Sequence, residues 1–331
     1  MMKLSLMQAV LGTLNDTYES PIADAMLAAW ALDQGRARYF RASANFIFMF
    51  KRESQACILR FTHASGRTAD AIQAELAYLH HLAAHKVPVA LPIRSLSGRD
   101  VESISTTLGV FHAVVFEMLP GEQFDVGDLS LAQFTRWGSA LGELHQAAEG
   151  YSRAGRATIH DHLRMLELLL PAHEGAAWHL LTTLERQIAA LPTSDQTFGL
   201  IHYDFELDNL LWDDQRVSIV DLDDCAGYWF VADIAFALRD LFDDQAKQID
   251  ATDARFRAFV TGYRTMRTVT DEELRRLPLF LRVHNLVSFT KLLRAADIDD
   301  AHAAPAWVVD LQAKLLRKVQ TYRDSFAAAT A

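Results

Sequence analysis

The chain has 331 residues, half of them hydrophobic, which predicts two domains or one domain with two lobes and excludes wholesale disorder. A formal net charge of −10 argues against a nucleic-acid partner held on a basic surface. Two cysteines, Cys57 and Cys225, cannot build a disulfide framework and predict a reducing, cytoplasmic setting. No apolar run reaches the ~18 residues that a membrane-spanning helix needs.

The opening "MMKLSLMQAVLGTLN" predicts an amphipathic first helix and not a signal peptide: Ser5 and Gln8 interrupt the apolar run, and no small-x-small cleavage site follows. Ser20-Pro21 opens a helical pattern ending near Gly35, with Ser as N-cap and Pro at the first helical position. "NFIFMF" (Asn45 to Phe50) and "ACILRF" (Ala56 to Phe61) read as a strand hairpin joined by Lys51 to Gln55. A helix is predicted from about Thr68 to His85, then strands near Val101 to Thr107 and Val110 to Met118. Pro120-Gly121 breaks the pattern and marks the domain boundary, giving 1–119 and 120–331. Beyond it the chain reads as mostly helical. Ser130 with Gln133 and Thr270 with Glu273 form capping boxes that predict the starts of long helices. The exception is "NLLWDDQRVSIVDLDD", which reads as strand, turn, strand. The fold class is therefore α+β, a sheet-rich N-terminal lobe followed by a mostly helical C-terminal lobe with one small hairpin.

The stretch "LIHYDFELDNLLWDD", Leu200 to Asp214, places acids between two segments that belong in a core. Asp204 and Asn209 stand five positions apart in a loop feeding the first hairpin strand, and Asp221 ends the second. A tight hairpin returns the end of its second strand to the start of its first, which sets Asp221 beside Asn209. A carboxylate and an amide oxygen side by side suit a hard divalent cation such as Mg2+. Asp223, if the strand continues, shares the face of Asp221 and could bind the metal or hold another group. Asp204 is left at the mouth of the site, where it could accept a proton from an attacking hydroxyl. His202 fits an anchor for the loop backbone better than a chemical role. The order His-x-Asp-x-x-x-x-Asn, then an Asp after a hairpin, matches the kinase pattern for phosphoryl transfer, and the roles follow that pattern.

"HYDFELDN", "IVDLDD" and "YWFVADIAFAL" resemble the aminoglycoside phosphotransferase and choline kinase family, whose members share a protein-kinase-like two-lobed fold. The resemblance covers most of the chain. "ACILRF" is similar to the strand bearing the phosphate-binding cation, with Arg60 where a Lys often stands, and "IQAELAYLHHLA" resembles the helix whose Glu pairs with it, pointing to Glu75. "VVFEMLPGE" resembles the hinge that meets adenine, which points to Glu117 and Met118. Asp233 matches the aspartate that braces the catalytic loop. The resemblance implies ATP-dependent phosphorylation of a small-molecule hydroxyl, with Asp204 as base and Asn209 and Asp221 on Mg2+. Three departures stand out: Tyr203 replaces the usual Gly between His and Asp, Arg60 is a planar fork and not a point charge, and no G-x-G-x-x-G precedes the first strand. "RASANF" (Arg41 to Phe46) is the one candidate for the phosphate-covering loop.

Plainer readings accompany each part. The acid loop could be a solvated connection, Arg60 a surface-facing strand residue and Glu75 a solvated helix position. His81 and His85, four apart, have a zinc-compatible spacing but lack the Glu of the metalloprotease motif. The "HDH" at His160 to His162 reads as a helix start, and Tyr228, Trp229 and Phe230 as core. Three other functions compete. One is a metal-dependent phosphoesterase built on Asp204, Asp221 and Asp223, another a nucleotide-binding scaffold without turnover, and the third a kinase acting on protein serine or threonine. From Asp204 to Asp253 there are 14 Asp or Glu against 3 Arg or Lys, a local balance of −11. Such a field favours a cationic acceptor, such as an amino alcohol or aminoglycoside, unless the acids only cover solvated helix faces.

Overall fold

The computed structural model describes residues 1–30, 37–214, 216–242, 250–296 and 304–330. The chain divides into two compact units, Met1–Tyr78 with Ala90–Leu119 and Lys291–Lys318, and Leu79–Val89 with Pro120–Thr290 and Val319–Ala331.

The first unit begins with α1 (Leu4–Leu11), whose Leu4, Met7 and Val10 recur every three residues and are buried. In α2 (Pro21–Leu27) the Ser20 hydroxyl accepts from the Ile22 N–H at 3.1 Å and Pro21 fits the first helical position. The helix passes into a 3-10 turn, Ala28–Trp30; the expected continuation towards Gly35 lies outside the described residues. Next come β1 (Arg38–Ala42), β2 (Phe46–Arg52), β3 (Gln55–His63), α3 (Ala69–Ala84), β4 (Pro92–Ile93), β5 (Glu102–Thr106) and β6 (Gly109–Glu117). The strands pair antiparallel in the order β1-β2-β3-β6-β4, with β5 also on β6.

Alternation of Phe46, Phe48 and Phe50 with Ile47 and Met49 sends the phenylalanines to the core face. Phe46 stacks on Phe61 at 5.1 Å between ring centroids, and Phe111 meets Phe61 edge-on at 5.6 Å. Such rings contribute about 1.5–3 kcal/mol each on burial. β1 is a strand that the sequence does not announce. It is a five-residue edge with a bulge between Tyr39 and Arg41 and little burial, so it lacks the apolar alternation that reveals β2. Its pairing of Ala42 with Phe46 shortens the candidate phosphate-covering loop to a turn at Ser43–Asn45.

The second unit carries α4 (Leu131–Ala148), α5 (Ile159–Leu169), α6 (Gly175–Ala189), β7 (Phe198–Ile201), β8 (Leu210–Trp212), β9 (Val217–Ile219), β10 (Ala226–Trp229), α7 (Phe230–Ala237), α8 (Ala254–Met266) and α9 (Asp271–Leu274). The chain closes with α10 (Leu277–Ala295) and α11 (Ala306–Thr330). Ser130 and Gln133 make the expected capping box on α4. Thr270 and Glu273 make theirs too, but on the four-residue α9 and not on a long helix, because α10 starts separately at Leu277. α4 and α8 touch backbone to backbone: a Cβ on Gly138 would lie 1.9 Å from the Phe259 carbonyl oxygen, and one on Gly262 1.8 Å from that of Thr135. Only glycine fits at that crossing.

Two antiparallel ribbons sit among these helices, β8 with β9 and β7 with β10. The first is the predicted hairpin. The second, unexpected, pairs strands whose members lie 25 residues or more apart, such as Ala226 with Ile201, so no turn signal joins them. Tyr228, Trp229 and Phe230 are buried core, as predicted. Among the described residues, no helix is long and apolar enough to cross a membrane.

Candidate active site

β7 delivers the chain to His202, and the loop from there to Asn209 is fixed from behind by one buried carboxylate. Asp233, on the first turn of α7, accepts the His202 N–H at 2.8 Å on Oδ2 and the Tyr203 N–H at 2.9 Å on Oδ1. Its Oδ2 also accepts from His145 Nε2–H at 3.0 Å, and His145 Nδ1 in turn accepts from the Tyr263 hydroxyl at 2.9 Å. Burial holds the His145 imidazole below its ordinary 6.5 against the opposing pull of Asp233, and burial pushes the Tyr263 phenol up. A neutral imidazole that donates to a carboxylate and accepts from a phenol satisfies all three groups.

Two backbone donors converging on one carboxylate require a sharp bend, and Tyr203 makes it with φ of 74°. That left-handed backbone explains why a glycine would be at ease at this position. Here the tyrosine ring is buried instead, edge-on to Phe236 at 5.1 Å and to Tyr228 at 5.5 Å.

His202 is fully buried. Its Nε2–H donates to the Val220 carbonyl at 3.0 Å, and its Nδ1 accepts the Asp204 N–H at 3.3 Å. It therefore ties the loop to the residue before Asp221. Asp204 is part-exposed. Asn209 Nδ2 donates to the Asp204 carbonyl at 2.9 Å and to its Oδ2 at 3.2 Å, which leaves the Asn209 carbonyl oxygen on the other side of the amide. In the hairpin Leu210 pairs with Ile219, and the Val220 N–H donates to the Asn209 carbonyl at 3.0 Å, so Asp221 comes one residue after the partner of Asn209.

The expectation for Asp223 needs correction. β9 stops at Ile219, Asp221 has φ of 60°, and Leu222–Asp224 is a 3-10 turn, so Asp221 and Asp223 do not share a strand face. An aspartate tolerates the left-handed conformation better than most side chains, which lets the chain turn at that point. Arg156 clamps the turn: its guanidinium donates to the Asp223 carbonyl at 2.5 Å and to the Cys225 carbonyl at 2.7 and 3.0 Å. Among the described residues no three His, Cys, Asp or Glu side chains gather as a metal-holding group. The phosphoesterase reading, which needs Asp204, Asp221 and Asp223 as such a cluster, has no support in this geometry.

In the first unit Arg60 on β3 donates to Glu75 Oε1 on α3 at 2.7 Å, and Arg67 reaches Oε2 at 3.4 Å. Glu75 is fully buried and Arg60 lies over the Phe116 ring at 5.0 Å, so neither is a solvated surface position. Glu117 ends β6 opposite Cys57. The Met118 N–H already donates to the Ala56 carbonyl at 3.0 Å, so this amide is not the group that would meet a base. Both His81 and His85 are engaged by backbone carbonyls: the His81 ring bonds to that of Ala147 on α4 at 2.7 Å, and the His85 ring to that of His81 at 2.9 Å.

Sequence reasoning missed His145, Arg156, Arg67 and Arg239. The guanidinium of Arg239, in a 3-10 turn after α7, pairs with Asp204 Oδ1 at 3.4 Å and with the Glu206 carboxylate. Its signal was available, since it is one of three cations in the acid-rich stretch from Asp204 to Asp253.

A sheet-rich unit holding a buried Arg–Glu pair, and a helical unit holding an acid–amide loop with an aspartate at the foot of a hairpin, are the two halves of a protein-kinase-like phosphotransferase. The chain belongs to the phosphotransferase enzyme family, which its residues 38–269 match, and whose members move a phosphoryl group onto an acceptor alcohol. It is 26% identical over 295 residues to the amicoumacin kinase of Bacillus subtilis (strain 168), covering 85% of this chain and 87% of that one. Among solved structures it is similar to an amicoumacin kinase in complex with AMP-PNP, Ca2+ and Ami, with a TM-score of 0.74, 24% identity and coverage of 90% and 91%. It is also similar to a microcompartment-associated aminopropanol kinase, with a TM-score of 0.68, 20% identity and coverage of 93% and 95%.

Proposed function

We propose that this chain transfers the γ-phosphoryl group of ATP to a hydroxyl of a small molecule, with Asp204 as the general base. The observation that carries the reading is the fixed loop: Asp204 is part-exposed while the backbone around it is tied to Asp233, His202 and Asn209. In the step proposed, the acceptor oxygen bonds to the terminal phosphorus as the bond to the ADP oxygen breaks, and the hydroxyl proton passes to Asp204. Asn209 and Asp221 would hold a divalent cation, Mg2+ in this reading; their adjacent amide and carboxylate oxygens are hard donors, as such an ion requires. That ion would neutralise phosphate charge. Asp223, buried in the clamped turn, would then serve the turn's shape. Arg60, ordered by Glu75, is the proposed phosphate-binding cation, and Glu117 with Met118 the proposed base-contacting stretch.

The similarity to kinases of small molecules supports a small-molecule acceptor over a protein hydroxyl. Cys57 and Cys225, both buried and not joined in a disulfide, support a cytoplasmic setting. An acceptor bearing an amine remains part of the proposal, but the acid excess behind it is smaller than it looks. Asp204 and Glu206 face Arg239, Asp213 caps and faces Arg216, Asp233 holds the loop, and Asp253 caps α8 and pairs with Arg255. Asp208, Asp214, Asp240 and Asp250 are the exposed acids left to supply the field, while Asp243 and Asp244 lie outside the described residues.

The test is ATP consumption by the purified chain against choline, 1-amino-2-propanol, homoserine, spectinomycin and a neutral sugar. Turnover of an amine-bearing alcohol, lost by ~10²-fold or more in Asp204→Asn with ATP affinity kept within a few-fold, is expected. Asp204→Asn with near wild-type turnover would refute the base, and preference for a neutral or anionic acceptor would refute the amine.

A further inference from the structure

Asp204 presents two carboxylate oxygens, and each is met by a different neighbour. Asn209 Nδ2 donates to Oδ2 at 3.2 Å, and Arg239 Nη1 stands 3.4 Å from Oδ1. Arg239 is itself held. Its other terminal nitrogen pairs with the Glu206 carboxylate, and Nη1 also lies 3.4 Å from the Phe236 carbonyl. The side chains of Arg239 and Glu206 are each about one quarter exposed, less than the 42% of Asp204. The carboxylate offered to the acceptor is thus the most open member of the group, and its two partners sit behind it.

A planar guanidinium fork fixes direction as well as charge, because two of its N–H groups point at two acceptors in one plane. Glu206 uses one arm and Asp204 the other, so the position of the Asp204 carboxylate is set through Arg239 by a residue two places along the same loop. Asn209 on the opposite oxygen supplies the second point, and two points define the orientation of the carboxylate plane. Each oxygen has a second lone pair, which leaves one for the proton of an incoming hydroxyl.

We propose that Arg239 is a positioning residue for Asp204: anchored by Glu206, it holds the base carboxylate in the plane from which it takes the acceptor proton. The inference rests on the reading of Asp204 as the base. In that role Arg239 contributes through alignment, where small displacements of a reacting group cost rate disproportionately.

The experiment compares the full-length wild type with Arg239→Ala, Arg239→Lys, Glu206→Gln, Asp204→Asn and the double variant Asp204→Asn/Arg239→Ala. Each is assayed with ATP and whichever alcohol in the panel above turns over fastest. Arg239→Ala is expected to lose between ~10- and ~100-fold in kcat while KM for ATP changes less than about twofold. Arg239→Lys should fall between, keeping charge without the fork, and Glu206→Gln should lose less than Arg239→Ala. Guanidinium at millimolar concentration should restore part of the kcat of Arg239→Ala and none of that of Asp204→Asn. If Arg239 acts through Asp204, removing it from the Asp204→Asn background costs almost nothing further.

Wild-type kcat in Arg239→Ala, alongside a disabled Asp204→Asn, overturns this inference alone. So does a loss that adds fully in the double variant, or one that tracks a lowered melting temperature without guanidinium rescue. An active Asp204→Asn overturns the base and this inference with it, and a wild type that phosphorylates none of the panel while binding ATP overturns both as well.

Discussion

Replacing Asp233 by asparagine tests the loop architecture without changing side-chain volume. The carboxylate accepts three hydrogen bonds, from the N–H groups of His202 and Tyr203 at 2.8 and 2.9 Å and from His145 at 3.0 Å. An asparagine has one oxygen to offer and points an NH2 at one of the donors. Hydrogen bonds to a charged acceptor are worth about 1.5–3 kcal/mol each, and a buried donor left without a partner costs about 1–3 kcal/mol. Losing one bond outright, weakening the others to neutral strength and stranding one donor comes to roughly 3–5 kcal/mol. Against a total stability of about 5–15 kcal/mol that is a large fraction. At about 2–4 °C per kcal/mol for a body of this size, the melting temperature should fall on the order of 10 °C. Calorimetry or a dye-monitored melt measures the fall, and amide exchange at His202 and Tyr203 reports the two bonds directly. A melting temperature within about 2 °C of wild type, or unchanged protection at those two amides, would refute the claim that this carboxylate holds the loop.

Other perturbations follow from the same geometry. Asp221→Ala should abolish the rise in melting temperature given by Mg2+ with ATP, and an unchanged rise removes Asp221 from the proposed cation site. Glu75→Gln strips the counter-charge from Arg60 and Arg67 and should cost about 3–5 kcal/mol in a urea melt, the usual scale for breaking a buried ion pair; a cost below ~1 kcal/mol would mean the pair is effectively solvated. The His145 imidazole, held below its ordinary 6.5 by burial, sets a pH dependence. Above that value folded and unfolded chains are both neutral there and the contribution is whole. As the pH falls through it, the unfolded chain takes a proton that the folded one does not, so stability drops by up to about 1.4 kcal/mol per pH unit. His145→Gln should flatten that part of the profile, and an identical slope in the variant contradicts the assignment. Gly262→Ala should destabilise by several kcal/mol, on the scale of severe overpacking, because the new Cβ would fall 1.8 Å from the Thr135 carbonyl oxygen; a neutral effect would mean that α4 and α8 separate freely.

The parts of the site legible in the sequence are those whose partners lie close together along it. Asp204, Asn209 and Asp221 are related by a loop and a hairpin, and both obey local rules of turn and pairing. His202 could be read from the loop itself, but Asp233, 31 positions further on, was found by resemblance rather than by periodicity. The bond from His145 to Asp233 spans 88 positions and the clamp of Arg156 on Cys225 spans 69, separations at which no local pattern speaks. Arg239 sits 35 positions from Asp204, and its charge stood out among acids, but nothing in the sequence tells which acid it meets. The misreading of Asp223 has a different cause. A strand was extended by two residues past the point where a left-handed aspartate ends it, and boundaries of short strands are where alternation carries least information.

The conformation of Tyr203 bears on how this chain can change over generations. Its φ of 74° costs a side-chain-bearing residue about 1–2 kcal/mol, so the backbone alone would favour glycine. The ring, however, is 3% exposed and wedged among His162, Tyr228, Phe236 and His284, with centroids 5.1–5.8 Å away. Deleting an aromatic ring from such packing costs about 3–5 kcal/mol, which outweighs what the backbone regains. A change to glycine in one step therefore leaves a cavity among those four neighbours, and larger side chains at those neighbours would clash with the ring while it is in place. The residue beside the proposed base is thus coupled to four others that the proposed reaction does not use, so a substitution here is felt first in the packing behind the loop.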